Sequence, residues 1–300
     1  DVVKKIKGPK GSEVRLTVKK VDGTIKTISI IRDIVEIEET YVKSSVVERN
    51  GLKYGVIYLP KFYIEFENKD GRDAGSDVAK EVESLKKAGV NGIVFDVRDD
   101  GGGSLSTVVD IAGLFIEQGP IVQVKSAGRQ KEVLYDRDKK IEYDGPLVVV
   151  VNSFSASASE IVSGSLQDHK RAVIVGEKTF GKGSVQAVLP IDNEKTENIK
   201  LTIAKYYLPS GRTIQATGVT PDIIVQSGKV TQSEDNSFKI KEADLKKHLE
   251  GELEKVNDVK KEEKVLENET KKVITGEDLL EDNQLNTSVA ILKSLIIMNK

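Results

Sequence analysis

Cysteine is absent from the 300 residues, and histidine occurs only twice, at His169 and His248. Without cysteine there are no disulfides, thiolate zinc sites or cysteine nucleophiles, and the chain fits a reducing or an oxidising compartment equally. Two histidines exclude a multi-histidine metal site, and any histidine-dependent catalysis has to use one of them. Neither charge sign is in excess. Lysine plus arginine number 46 against 48 acids, for a formal charge of −2, so there is neither the basic footprint of a nucleic-acid binder nor an acidic tail. No apolar run reaches the ~18 residues of a membrane span, and no signal-peptide pattern is visible, which predicts a soluble chain. No cofactor or metal is expected.

What is present is enough chain for one large domain, or a domain with appendages, and a proper core. Residues 1–31 read as a short helix, a Gly-Pro turn and two alternating strands joined at Asp22-Gly23, a hairpin signal too small to fold alone. "LKYGVIYLPKFYIEF" (52–66) is strand-like, and "GSDVAKEVESLKKAG" (75–89) has helical periodicity ending at Gly89, the C′ glycine. The strand "NGIVFDVRD", the loop "GGGS" and the helix "LSTVVDIAGLFI" follow. The order then repeats, with "GPLVVVVN", a serine loop, "SEIVSGSLQDHK" and "AVIVGE". Strand–loop–helix units in series predict an α/β domain whose active loops sit at the carboxyl ends of its strands. Beyond "GVTPDIIV" (218–225) the chain turns polar. Helical spacing is visible in 242–256, then a charged linker, then an apolar last helix "NQLNTSVAILKSLIIM" that needs a surface to dock on.

The stretch "VNSFSASASEI" (151–161) places three alternating serines where a strand runs into a helix. Ser157 with Glu160 three residues on reads as a capping box, a structural role. The same hydroxyl would also sit beside unpaired N–H groups at the helix N-terminus, which can hold an oxyanion. His169 is a poor base for it, roughly 18 Å away along a helix rising about 1.5 Å per residue. His248 lies on a charged helix and reads as solvated. A Ser-His-Asp triad is therefore poorly supported.

A second loop, "VGEKTFGKGSVQAVLP", mimics a phosphate-binding loop from Gly176 to Lys182. The mimicry fails at Gly183, where a metal-binding hydroxyl belongs, and "SVQAVLP" alternates like a strand. What remains is Lys182 between glycines and a phenylalanine. Read as structure, it is a solvent-facing lysine in a turn. Read as chemistry, burial disfavours the ammonium and leaves an amine able to take a serine proton.

Four motifs together, "DVRDDGGGSL" (96–105), "VNSFSASASEI" (151–161), "GSLQDHKRAVIVGEKTFGKGSVQ" (164–186) and "YLPSGRTIQATGVTPDIIV" (207–225), resemble the carboxy-terminal processing peptidases, or tail-specific proteases. The resemblance runs along nearly the whole chain. It implies a crotonase-like α/β core, a serine endopeptidase acting in or near the C-terminal region of proteins, and an acyl-enzyme formed by a Ser/Lys dyad. It implies Ser157 as nucleophile, chosen over Ser155 and Ser159, Lys182 as general base and Gln186 as the residue orienting the lysine. Its oxyanion hole implies the N–H groups of Gly103 and Ala158.

Residues 1–33 resemble the C-terminal end of the PDZ domain these peptidases carry, 34–228 their peptidase core, and 229–300 their charged helical tail. The resemblance further implies protein or peptide substrates held as an added strand, a homo-oligomer built through the C-terminal helices, and an extracytoplasmic, periplasmic or envelope location. The alternative is a catalytically latent peptide-binding module with the same fold. A crotonase-like acyl-thioester enzyme is a weaker third reading, since strand-to-glycine-loop oxyanion holes serve that chemistry too.

Overall fold

The computed structural model describes residues 2–33, 40–65, 71–136, 138, 140–191, 197–230 and 273–298. His248 and the helix expected over 242–256 lie outside the described residues. The chain divides into two compact units, Asp1–Thr40 and Tyr41–Lys300.

The first unit holds α1 (Val2–Ile6) and an antiparallel hairpin of β1 (Glu13–Lys19) and β2 (Ile25–Ile31). The turn forms where expected. The Asp22 carboxylate accepts from the Thr24 N–H and hydroxyl, and Gly23 takes φ 85°, a value that costs glycine little. Arg32 donates to the Ile6 and Glu13 carbonyls and to the Ser12 hydroxyl, tying helix to hairpin.

The second unit is built on a seven-stranded sheet ordered β12-β9-β8-β5-β4-β3-β13. Its strands are β3 (Lys43–Arg49), β4 (Leu52–Tyr58), β5 (Gly92–Asp96), β8 (Leu147–Val151), β9 (Val173–Gly176), β12 (Ile223–Ile224) and β13 (Val273–Ile274). β4, β5, β8, β9 and β12 run parallel. The crossovers carry α2 (Ala74–Lys87), α3 (Leu105–Gly113) and α4 (Ala158–Asp168). An antiparallel sheet of β10 (Ser184–Pro190), β11 (Asn198–Tyr207), β6 (Pro120–Ser126) and β7 (Glu132–Tyr135) stands beside it.

The valine run shows why such a sheet needs two covers. Leu147, Val149 and Val151 enter the core under the three crossover helices, with Val82, Ile111 and Ile161. Val148 and Val150 point the other way, to Leu285, Val289 and Leu292. A strand buried on both faces loses the polar alternation and reads as a continuous apolar run. The second cover is α6 (Asn283–Met298), preceded by α5 (Gly276–Glu281). Leu285, Val289 and Leu292 repeat at helical spacing on one stripe, and full burial of each stabilises the unit by about 1.5–3 kcal/mol.

Several boundaries differ from expectation, two of them for evident reasons. The strand expected over 52–66 stops at Tyr58, because Pro60 has no N–H to offer a ladder, and Phe62 and Ile64 make only isolated bridges. The helix expected over 105–116 stops at Gly113, where a turn follows with the Phe115 N–H on the Ala112 carbonyl.

Candidate active site

Three loops leave the carboxyl edge of the parallel sheet side by side. They are 97–104 after β5, 152–157 after β8 and 177–183 after β9. The β8 loop is locked to the β5 loop by side chains. Asn152 Oδ1 accepts the Asp99 N–H at 3.0 Å, Asn152 Nδ2 donates to Asp99 Oδ1 at 2.9 Å, and Ser155 Oγ donates to the Val97 carbonyl at 2.8 Å.

The three serines separate by environment. Ser155 and Ser159 are fully buried, and their hydroxyls are committed to the main-chain carbonyls of Val97 and Asp100. Ser157 is half-buried at the N-terminus of α4, and its hydroxyl donates to no protein acceptor among the described residues. Its backbone is strained, at φ 57° and ψ −106°, an uncommon conformation for a residue with a Cβ.

Glu160 does more than close a helix turn. Its fully buried carboxylate accepts the Ser157 N–H at 2.9 Å and the Lys182 N–H at 2.7 Å on Oε2. On Oε1 it accepts the Thr179 hydroxyl and the Gly181 N–H, both at 2.6 Å. Four short charge-assisted bonds satisfy a buried anion that would otherwise be expensive. They also fasten the lysine loop to the serine. The loop is held further by Phe180 N–H on the Ser155 carbonyl at 3.1 Å and by Gly183 N–H on Gln215 Oε1 at 3.0 Å.

Lys182 itself is half-buried, and among the described residues its amine makes no hydrogen bond to Ser157. Gln186 lies on β10 and is exposed. The phosphate-loop mimic leads into this strand and not into a helix. His169 caps the far end of α4, with Nε2 2.8 Å from the Pro120 carbonyl.

The triple glycine closes the site from the other side. Gly102 takes φ 99°, and a Cβ there would stand 2.9 Å from Ser157 Cβ and 3.0 Å from Ala158 N. A Cβ on Gly103 would fall 2.0 Å from the Phe62 carbonyl oxygen, because Phe62 bridges this segment through Phe62 N–H on Gly102 O and Ser104 N–H on Phe62 O. No side chain fits at either position. Among the described residues the Gly103 and Ala158 N–H groups donate to no protein acceptor, the condition for an N–H pair to receive an oxyanion.

Glu160 as a hub joining two loops, Thr179 and Gln215 as loop anchors, and the buried Asp100 were not foreseen. Only Glu160 carried a signal, the capping-box spacing, and that signal is local.

The family model described as Peptidase family S41 matches residues 53–225. A tail-specific protease of Haemophilus influenzae is 37% identical over 230 residues, covering 74% of this chain and 32% of that protein. A carboxy-terminal-processing protease of Bartonella bacilliformis is 34% identical over 259 residues, covering 85% of this chain and 56% of that protein. Among solved structures, a photosystem II D1 C-terminal processing protease superposes with a TM-score of 0.54 at 29% identity, covering 73% of this chain and 57% of that one. The chain thus spans between a third and somewhat over half of the curated relatives. No helix among the described residues is long and apolar enough to cross a membrane. With the matched segment holding β5, β8, β9, β12, all but the first residue of β4 and all three of these loops, the chain belongs to peptidase family S41.

Proposed function

We propose that this chain is a serine endopeptidase acting in or near the C-terminal region of protein substrates, with Ser157 as nucleophile and Lys182 as general base. The observation that carries the reading is the Glu160 carboxylate, which holds the main chain of both residues at once. Neutral Lys182 takes the Ser157 proton while Oγ attacks the scissile carbonyl carbon. The Gly103 and Ala158 N–H groups receive the oxyanion. Collapse breaks the C–N bond, and the Lys182 ammonium returns its proton to the departing amine. Water, deprotonated by Lys182, then hydrolyses the Ser157 ester. Gln186 is assigned the orientation of the lysine once substrate is bound.

β10 is the edge strand of its sheet and begins two residues after Lys182. That supports substrate held as an added strand, with main-chain recognition and loose sequence preference. We assign 1–33 to the end of a PDZ domain, 34–228 to the peptidase core and 229–300 to a helical tail that could join protomers. An extracytoplasmic or envelope location belongs to the same proposal.

The missing Ser157–Lys182 hydrogen bond favours one second reading, a latent module that binds peptide without turnover. Lys182→Ala separates the two. Cleavage abolished with the circular dichroism spectrum retained supports the dyad, and cleavage at the normal rate in this variant rules it out.

A further inference from the structure

Asp100 is fully buried and the mechanism above does not use it. It precedes the triple glycine and grips both sides of Ser157. Its main-chain carbonyl accepts the Ala156 N–H at 2.9 Å and the Ser159 hydroxyl at 2.8 Å. Its Oδ1 accepts the Gly102 N–H at 2.7 Å, and Gly102 lies so near Ser157 Cβ and Ala158 N that a Cβ on it would meet both at 3.0 Å or less. One residue therefore sets the spacing between the helix N-terminus and the glycine segment. Its other oxygen, Oδ2, is buried with no hydrogen-bond partner.

We propose that Asp100 is a positioning residue of the oxyanion hole that works in its protonated form, so that the hole is competent only while this carboxyl is neutral. The inference rests on the peptidase reading.

An ionised Asp100 would be a buried anion with one oxygen unpaired, a costly arrangement. It would also stand beside the place where the transition state develops its own negative charge. Among the neighbouring charges only Lys61 favours the anion, and burial outweighs it. Lys61, after β4, is exposed. Arg98 is engaged by Asp96 and Asp282, and Glu160 on α4 is saturated by its own donors. Asp96 at the end of β5 and Asp99 in the loop after it add negative charge, Tyr58 on β4 lies within electrostatic reach of all three acids, and Lys182 comes from the loop after β9. Burial pushes the Asp100 carboxyl up to about 7, so both of its forms are populated near neutral pH. Protonated, it keeps an acceptor for Gly102 and carries no charge.

The test is kcat and KM for a peptide substrate from about pH 6 to about pH 10, with Asp100→Asn beside the unaltered chain. The amide keeps an acceptor oxygen and cannot ionise. With Lys182 required neutral and Asp100 protonated, kcat of the unaltered chain should pass through a maximum and fall on its alkaline side, approaching tenfold per pH unit, with KM unchanged, and Asp100→Asn should lose that alkaline fall. An alkaline limb that persists in the variant, or its absence from the unaltered chain, overturns the proposal. Cleavage that survives Ser157→Ala would instead bring down the peptidase reading itself. If Asp100→Asn does not fold, a peptide boronate, which forms an anionic tetrahedral adduct on the serine, is titrated against the unaltered chain. Its affinity should fall above neutrality, and a flat profile overturns the proposal.

Discussion

Glu160 Oε2 lies 2.7 Å from the main-chain nitrogen of Lys182 and 2.9 Å from that of Ser157. A single carboxylate oxygen thus sets the relative position of two residues from loops that follow different strands. Glu160→Gln tests this directly. The amide can present oxygen to only one pair of donors, so either Ser157 and Lys182 or Thr179 and Gly181 lose their acceptor. The expected cost is about 2–4 kcal/mol of stability, as for breaking a buried charged network, and a fall of about a hundredfold in kcat from misplacement of the dyad. Denaturant unfolding and steady-state kinetics on the same preparation read both.

Ser157 pays in backbone strain for its position. At φ 57° and ψ −106° such a residue stores about 1–3 kcal/mol, which glycine relieves at an entropic cost of about 0.5–1 kcal/mol. Ser157→Gly should therefore abolish turnover and raise the stability by about 1 kcal/mol over Ser157→Ala. The readout is a shift in denaturant midpoint at constant slope.

A methyl group on Gly103 would meet the Phe62 carbonyl oxygen at 2.0 Å, whereas one on Gly101 would meet nothing within 4 Å. Gly103→Ala should cost about a hundredfold or more in kcat with little change in KM, as expected for a displaced oxyanion donor. Gly101→Ala should stay within about 0.5 kcal/mol of the unaltered stability and keep its activity.

Arg98 joins the carboxyl edge of the sheet to the start of α6. Its guanidinium binds Asp96 at 2.6 Å and Asp282 at 2.7 Å. Burial raises the Asp282 carboxyl, but the Arg98 hydrogen bonds and charge outweigh it and leave it below the usual carboxylate range. A depressed folded-state value means that this stabilisation is complete above the unfolded carboxylate range and is lost as pH falls through the folded value. The protection factors of α6 amides, taken relative to intrinsic exchange at each pH, should fall in acid, and Asp282→Asn should remove about 1–2 kcal/mol at neutral pH while flattening that acid dependence.

Much of this architecture could be read in advance, for reasons that lie in particular residues. The apolar period of α2 ends at Gly89, which takes φ 71°, and the valine run of β8 announces burial on both faces. β3 and β11 escaped notice. "KSSVVER" has a single buried residue, and "NIKLTIAKYY" buries only Ala204 and Tyr206, so neither shows a clean period. At the site, the placement of both suspicious loops on the carboxyl edge follows from strand order alone. The reach of Glu160 to Thr179 and Lys182 does not, because local spacing carries no information about a loop that the fold brings back. Asp100 is equally silent in sequence. Beside Asp99, which is exposed, nothing distinguishes it as the buried member of the pair.

The most direct test is cleavage of an unfolded protein such as casein by this chain and by its Ser157→Ala variant, from neutral to alkaline pH. Cleavage by the unaltered chain that disappears in the variant is the expected result, and it makes Ser157 the nucleophile of a working peptidase. Equal cleavage by both would contradict the account, and no cleavage by either would leave the fold as a latent peptide-binding module.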